Sequence, residues 1–324
     1  MKLPTLSVIV PNYNHGHHLP ASLDAMLNQT VQPHEIIVID DGSTDNSVAI
    51  MEEIVSRHPQ IKFYRNEKNC GVLRTLNRGI GLATGDFISA FAADDEVMPG
   101  FFEKSLSLLA EHPTCNMSGT ICYYIDTKTG ASWYLGASLS DKPRYFNPDE
   151  VVTEDRAGRL QIATGTMLVR RESFLEAGEY LLDLRWHADW FVMYVVIFRA
   201  GVCFVPEPLT EFRIFPASFS NKGRFNFKEQ SAVLRRTLEY LEDPKYADVA
   251  PKFRASGILA TFGKEMFWLL LTDSRYRKYL NLSFLRRVIP MIVKVEARKI
   301  LPKGLANFLL KIGGFKKLPK KKDS

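Results

Sequence analysis

Apolar positions in the first hundred residues follow two alternating periods. Leu6 to Val10, Glu35 to Asp40, Ile61 to Arg65 and Phe87 to Phe91 are short runs rich in β-branched or aromatic residues. Such runs predict buried strands. Between them Leu19, Leu23, Met26 and Leu27 recur at helical spacing, as do Val48, Met51, Ile54 and Val55, and Val72 to Ala83 predicts a third helix. Pro11-Asn12-Tyr13-Asn14 is expected to end the first strand, and Gly42 to turn the chain after the second. The order β-α-β-α-β-α-β predicts an α/β fold, a mostly parallel sheet with helices on both faces.

The second half is less regular. Asn116 to Tyr124, Leu160 to Arg170, Val202 to Val205 and Leu209 to Phe212 predict strands, and Phe191 to Ala200 an apolar helix. Asp141 to Asp155 is polar and contains proline, which suggests a loop over the site. After Phe225 the pattern turns helical, over Phe227 to Leu241, Phe253 to Thr272, Phe284 to Lys299 and Pro302 to Ile312.

Composition sharpens this picture at two points. The four cysteines form no CxxC pair and read as thiols in a reducing compartment. The N-terminal apolar run is too short for a signal peptide, and no run of about 18 apolar residues predicts a membrane span. Charge is uneven: from Arg275 onward there are 15 Lys/Arg against Glu296 and Asp323, a net of +13, whereas residues 1–274 carry −7. Leu301, Leu305, Phe308, Leu309 and Ile312 form an apolar stripe beside lysines, the pattern of a helix lying on an anionic membrane surface. The alternative is a helix packed on the body with a solvated tail. No recognition module accompanies the charge, so nucleic acid is not expected as a partner.

Candidate chemistry sits at the ends of strands. Asp94 and Asp95, followed by Glu96, stand where the fourth strand ends, and Asp40-Asp41 where the second ends. Carboxylates gathered at a strand mouth repel one another unless a cation or a ligand's donors neutralise them. Ligands of open α/β sheets bind at that edge. Hard oxygen donors there suit Mg²⁺ or Mn²⁺ shared with a phosphate. One such pair is easily a helix cap, but two on one sheet edge point to a ligand. A dinucleotide site is excluded, because Pro11 to Asn14 stands where a glycine fingerprint would be needed, and no P-loop sequence is present. His15, His17 and His18 share a turn but lack a second ligand group at zinc spacing. Asp189 reads either as a helix cap or as a functional acid, and Trp186 and Trp190 as core or a sugar-stacking surface.

These pieces together resemble a family 2 glycosyltransferase of the GT-A, Rossmann-like fold. The matching segments are SVIVPNYN, EIIVIDDGSTDNS, LNRGIGLATGDFI, ADDEVMP, TGTMLVRRESF, HADW and FRIFPASFS, spread over roughly residues 5–222. The resemblance implies a catalytic unit over 1–222, with nucleotide-sugar binding in about 1–100 and the acceptor part in about 101–222. A helical basic extension would cover 223–324. It also implies inverting transfer from a nucleoside-diphosphate sugar, a UDP-sugar first, to a hydroxyl of a glycan or lipid-linked acceptor, with Mg²⁺ or Mn²⁺. Such a reaction belongs to cell-surface polysaccharide or glycolipid synthesis at the cytoplasmic membrane face. By position, Pro11 and Tyr13 would flank the base, Asp41 pair with it and Asp40 support that loop. Asp95 would bind the metal, with Asp94 beside it on the ribose or metal, and Asp189 would be the general base. Arg213 is a candidate for assisting the diphosphate or for a structural ion pair. His187 and Trp190 are candidate diphosphate or acceptor contacts. The chain departs from the family pattern at Ala92, where members often have Asp, at Ala188, where many have Glu, and at Phe215, where many have His. The QxxRW motif of processive synthases is absent, which favours single additions. A sugar-phosphate nucleotidyltransferase would need a Gly-rich basic loop after the first strand, which is missing. A non-catalytic nucleotide-sugar binder would not need Asp189, and turnover separates the two.

Overall fold

The structure is a computed structural model that describes residues 2–214 and 226–300, with side chains to residue 295. Its first half follows the expected alternation. β1 (Leu6–Asn12), β2 (Glu35–Asp40), β3 (Ile61–Arg65) and β4 (Phe87–Ala90) are joined by α1 (Leu19–Leu27), α2 (Ser47–Arg57) and α3 (Val72–Leu82). These strands lie in the order β3-β2-β1-β4 and are all parallel. The second half adds β5 (Glu96–Val97), α4 (Phe101–Glu111), β6 (Met117–Asp126), β7 (Ser132–Leu135), β8 (Arg144–Phe146), α5 (Pro148–Arg156), β9 (Leu168–Arg170), α6 (Arg171–Ala177), α7 (Ala188–Ala200) and β10 (Val202–Ile214). Here the sheet becomes mixed. β9 runs antiparallel between β4 and β6, and β10 runs parallel to β6. The expectation of a mostly parallel sheet therefore holds for the first half and not for the second.

Alternate residues of β1 and β2 face different cores. Ile9, Ile37 and Ile39 join one apolar cluster, while Val8, Val10, Ile36 and Val38 join the other. The period-2 side-chain alternation of a strand produces this division, and burial of each such side chain stabilises the fold by about 1.5–3 kcal/mol.

Several sequence expectations need correction. β1 continues through Pro11 to Asn12, because Ile9 O already accepts the last ladder bond from the β4 side, given by Phe91 N–H. Pro11 faces that same side, where pairing has ended, so its missing N–H breaks nothing. The strand expected over Leu160 to Arg170 shrinks to β9, since Thr164–Thr166 winds into a 3₁₀ turn. The expected loop at Asp141 to Asp155 is β8 and α5, the helix started by a reciprocal capping box between Asn147 and Glu150. β8 pairs with Val202–Phe204, at the opposite end of β10 from the site described below, so this segment does not cover it. The two short strands expected at 202–212 are one strand with an irregular register between Val205 and Thr210.

The C-terminal region forms α8 (Phe227–Leu241), α9 (Ala250–Ser256), α10 (Gly263–Thr272) and α11 (Leu282–Ile300). The helix expected from Phe253 to Thr272 is broken at Gly257 and Gly263, whose φ values of 71° and 64° suit glycine and interrupt a helix. These helices are not a separate body. Leu234, Leu238, Phe253, Leu270 and Val288 belong to the same apolar cluster as Ile9 and Phe191. α7 lies between them and the sheet, with Phe191 through Phe198 all buried, as expected of a helix that is apolar on every side. A buried ion pair adds to this packing: Arg287 of α11 donates to Asp155 of α5 at 3.0 Å, and Tyr194 of α7 donates to the same carboxylate at 3.2 Å. The stripe predicted over 301–312 and the segment Phe215 to Ser220 lie outside the described residues.

Candidate active site

β1, β4, β6 and β10 point the same way, and a cavity of about 290 Å³ opens at their carboxyl ends. Pro11 ends β1, Ala90 to Ala92 follow β4, and Tyr124 and Phe212 come from β6 and β10. The strand order reverses between β1 and β4, and ligands of open α/β sheets bind at such a switch point. The remaining walls are Val72, Leu73 and Leu76 of α3, Thr164-Gly165, and the turn carrying Arg185 and Trp186. Gly165 is required by space, since a Cβ there would come within 2.1 Å of the Phe212 ring.

Two carboxylates line this cavity, Asp95 and Asp189. Asp95 Oδ2 accepts from Ala92 N–H at 3.0 Å in the tight turn after β4. Burial, and then the charge of Asp94, raise the Asp95 carboxyl well above the ordinary range, and the Ala92 bond only partly opposes them. Asp189 sits in the first turn of α7. Its Oδ1 accepts from Trp190 N–H at 2.7 Å, and its Oδ2 accepts from the Thr164 hydroxyl at 2.8 Å. Tyr124 reports on both carboxylates: burial raises its phenol first, followed by Cys122, Asp95 and Asp189. Asp189 also adds to burial in raising Tyr180.

The second aspartate pair is placed differently. Asp40 is fully buried; it accepts from Asn12 Nδ2 at 3.0 Å and from Ser43 N–H at 3.0 Å, which fixes the turn after β2. Gly42 completes that turn at φ 73°, where a Cβ would strike Lys68 backbone at 2.8 Å. Asp41 is buried too, and both of its oxygens are engaged. Oδ1 accepts from Asn66 Nδ2 and Cys70 N–H, and Oδ2 from Gly71 N–H, at 2.7–2.9 Å. Asp41 thus braces the loop leading into α3 and does not line the cavity. Tyr13 is exposed just beyond β1.

Three further candidates, Arg213, His187 and Trp190, do not line this cavity. Arg213 bridges Glu211 at 3.1 Å and Glu96 at 3.4 Å, the structural ion pair that was one of its two readings. His187 and Trp190, candidate diphosphate or acceptor contacts, face the C-terminal helices at the start of α7, which for Trp190 is the core reading. His187 is buried beside Gln230 and 4.6 Å from the Phe262 ring, and Trp190 packs on Tyr194, Phe253 and Phe262.

Sequence reading missed Tyr124, Thr164 and Phe212 as wall residues and left Trp186 open between core and a sugar-stacking surface. Trp186 reaches the cavity because Arg185 adopts φ 48° and ψ −120°, a conformation costing a non-glycine residue about 1–3 kcal/mol. Two contacts from α8 hold that turn: Glu229 pairs with Arg185 at 2.8 Å, and Gln230 Oε1 accepts from Trp186 Nε1 at 2.7 Å. The only sequence signal was the spacing of Trp186 three residues before Asp189.

Against known proteins, the description "Glycosyl transferase family 2" matches residues 7–177. The chain belongs to glycosyl transferase family 2. An uncharacterised glycosyltransferase of Haemophilus influenzae is 28% identical over 247 residues, 72% of either chain. Among solved structures, S. aureus TarS in complex with UDP-GlcNAc aligns with a TM-score of 0.63 at 16% identity, over 91% of this chain and 85% of that one. A mannosyltransferase of Pyrobaculum calidifontis in complex with GDP-Man and Mn²⁺ aligns with a TM-score of 0.56 at 15% identity, over 97% and 80%. At such identities these two likenesses show a shared GT-A-like fold. The family 2 chain described here is a glycosyltransferase, and its cavity lies where an α/β sheet binds a nucleotide.

Proposed function

We propose that the protein moves a sugar, with inversion, from a nucleoside-diphosphate sugar to a hydroxyl of a glycan or lipid-linked acceptor. The observation that carries this reading is that Asp95 and Asp189 line one cavity at the switch point of the sheet. Asp189 acts as general base. A hydroxyl is a poor nucleophile near neutral pH, and a carboxylate fixed by Thr164 and Trp190 N–H takes its proton as it attacks the anomeric carbon. Pro11 and Tyr13 stand at the end of β1, where the base of the donor would lie, and Asp40 and Asp41 hold the neighbouring turns. The donor expected first is a UDP-sugar.

The residues present fit a divalent cation. Among the described residues no three metal-binding side chains converge. Mg²⁺ and Mn²⁺ are commonly held by one or two carboxylates plus substrate phosphates, and Asp95, with Asp94 beside it, offers that set. Burial and the charge of Asp94 raise the Asp95 carboxyl, and a cation that displaces its proton would relieve that repulsion. When bound, the cation neutralises charge on the departing diphosphate.

A panel of UDP-, GDP- and dTDP-sugars with Mn²⁺, scored by release of nucleoside diphosphate, tests the reading. One donor should be turned over, and EDTA should suppress it. No stabilisation or turnover by any nucleotide sugar would overturn the proposal.

A further inference from the structure

α11 is apolar on two opposite sides. Phe284 and Val288 are fully buried against the body. Leu282, Arg286, Ile289 and Val293 recur at i, i+4, i+7 and i+11 and so form a single stripe on the other face. That stripe is open: Leu282 is 61% exposed, Ile289 50% and Val293 60%. Met291 and Val295 are exposed as well, near the end of the helix. Single exposed aliphatic residues need no explanation, but an aligned row on a helix whose other side is already packed does.

The charges around the stripe select its partner. Between residues 282 and 300 the chain carries five Lys/Arg and one acidic residue, Glu296. Arg287 is taken up by Asp155, whereas Arg286 lies in the stripe, exposed and paired with no carboxylate among the described residues. The 24 residues that follow add seven lysines and one aspartate. A second copy is a poor fit. A two-fold contact would set basic helix against basic helix, and like charges facing each other oppose association. A row of exposed aliphatic residues that carries one exposed arginine, on a basic stretch of chain, matches the boundary between acyl chains and anionic headgroups.

We infer that the outer face of α11 docks on an anionic lipid surface, with Leu282, Ile289 and Val293 entering the headgroup boundary and Arg286 meeting lipid phosphate. This surface is formed by residues 282–293, and its binding does not depend on the transfer reaction.

Flotation of the full chain with vesicles of phosphatidylglycerol and phosphatidylcholine, against phosphatidylcholine alone, is the test. The wild type should float with the anionic vesicles only, and less so in high salt. The double substitution Ile289→Ser and Val293→Ser should weaken binding by about tenfold or more. Leu282→Ser, on the same face, should weaken it to a smaller extent. Phe227→Ser, an exposed apolar position on α8, should leave it unchanged. Nucleotide-sugar stabilisation should be the same in all of them, which keeps failure here distinct from failure of the proposed reaction. A double variant that floats like the wild type would overturn the inference. So would a wild type that stays in solution, or a wild-type dimer that the double substitution converts to monomer.

Discussion

The Thr164 hydroxyl donates to Oδ2 of Asp189 at 2.8 Å, which joins the 3₁₀ turn before β9 to the first turn of α7. This bond fixes the position of a carboxylate that lines the cavity. Asp189→Asn should lower kcat by about 10²–10⁴, the usual range for loss of a general base, with the fold and donor affinity intact. Thr164→Val should lower kcat less, with donor affinity intact. Steady-state rates check both, and an unchanged kcat in Thr164→Val would remove the bond from the mechanism.

Metal affinity should depend on pH through Asp95. Burial and Asp94 raise this carboxyl, so it keeps a proton where an ordinary aspartate is ionised. A cation has to displace that proton, and its binding therefore strengthens as pH rises. Stabilisation by Mn²⁺ with nucleoside diphosphate should be greater at about pH 7.5 than at about pH 5.5. Asp95→Asn should abolish that difference and most of the turnover. Thermal midpoints with and without Mn²⁺ at the two pH values are the measurement.

Gln230 should act on the site from outside the family-matched segment. Its side chain accepts from Trp186 and lies against His187, on the strained turn that feeds α7. Gln230→Leu removes the acceptor that the half-buried indole N–H uses, at a cost of about 1–3 kcal/mol. Acceptor KM should rise while donor hydrolysis without acceptor stays near wild type. If both reactions fall together and the thermal midpoint drops, Gln230 only stabilises the fold.

Acid stability should depend on Glu35, which lies at the end of β2 away from the cavity. Burial alone would raise its carboxyl, but Lys62, the Ser7 and Thr84 hydroxyls and Thr84 N–H together hold it down at about 2. Its contribution is complete above the unfolded value near 4.5 and is lost as pH falls toward 2. Glu35→Gln should be less stable than wild type by about 1–3 kcal/mol at neutral pH, and this gap should close in acid. Urea unfolding at about pH 7 and about pH 3 measures it.

The first four strands and three helices were legible because each has one clean period and turn residues at its ends. The aspartates at the strand mouths were legible for the same reason: a strand's end fixes where the next polar residues stand. Legibility failed where a local feature overrode an apolar run. Thr164 to Thr166 winds into a turn, and Gly257 and Gly263 break a helix that apolar spacing alone would continue. It failed again where long-range packing decides. Nothing near Trp186 in the sequence shows that Gln230 will meet its indole, or that His187 and Trp190 will face the C-terminal helices. Asp41 was expected on the base; its three donors come from residues 66 to 71, which only the folded loop brings to it.

The burial of α7 on both sides bears on how parts might be exchanged between relatives. The segment matching the family description ends at residue 177, before α7 begins, so a graft cut there would leave Asp189 behind. A cut near residue 222 would keep Asp189 but strip Phe253 and Leu238 from the apolar face that they cover, opening Phe191 and Phe198 to water. Each exposed phenylalanine would cost about 1.5–3 kcal/mol and make the fragment sticky. The smallest transferable unit that carries Asp189 is therefore α7 through α11 taken together, with Asp155 retained in the host so that Arg287 still finds its carboxylate.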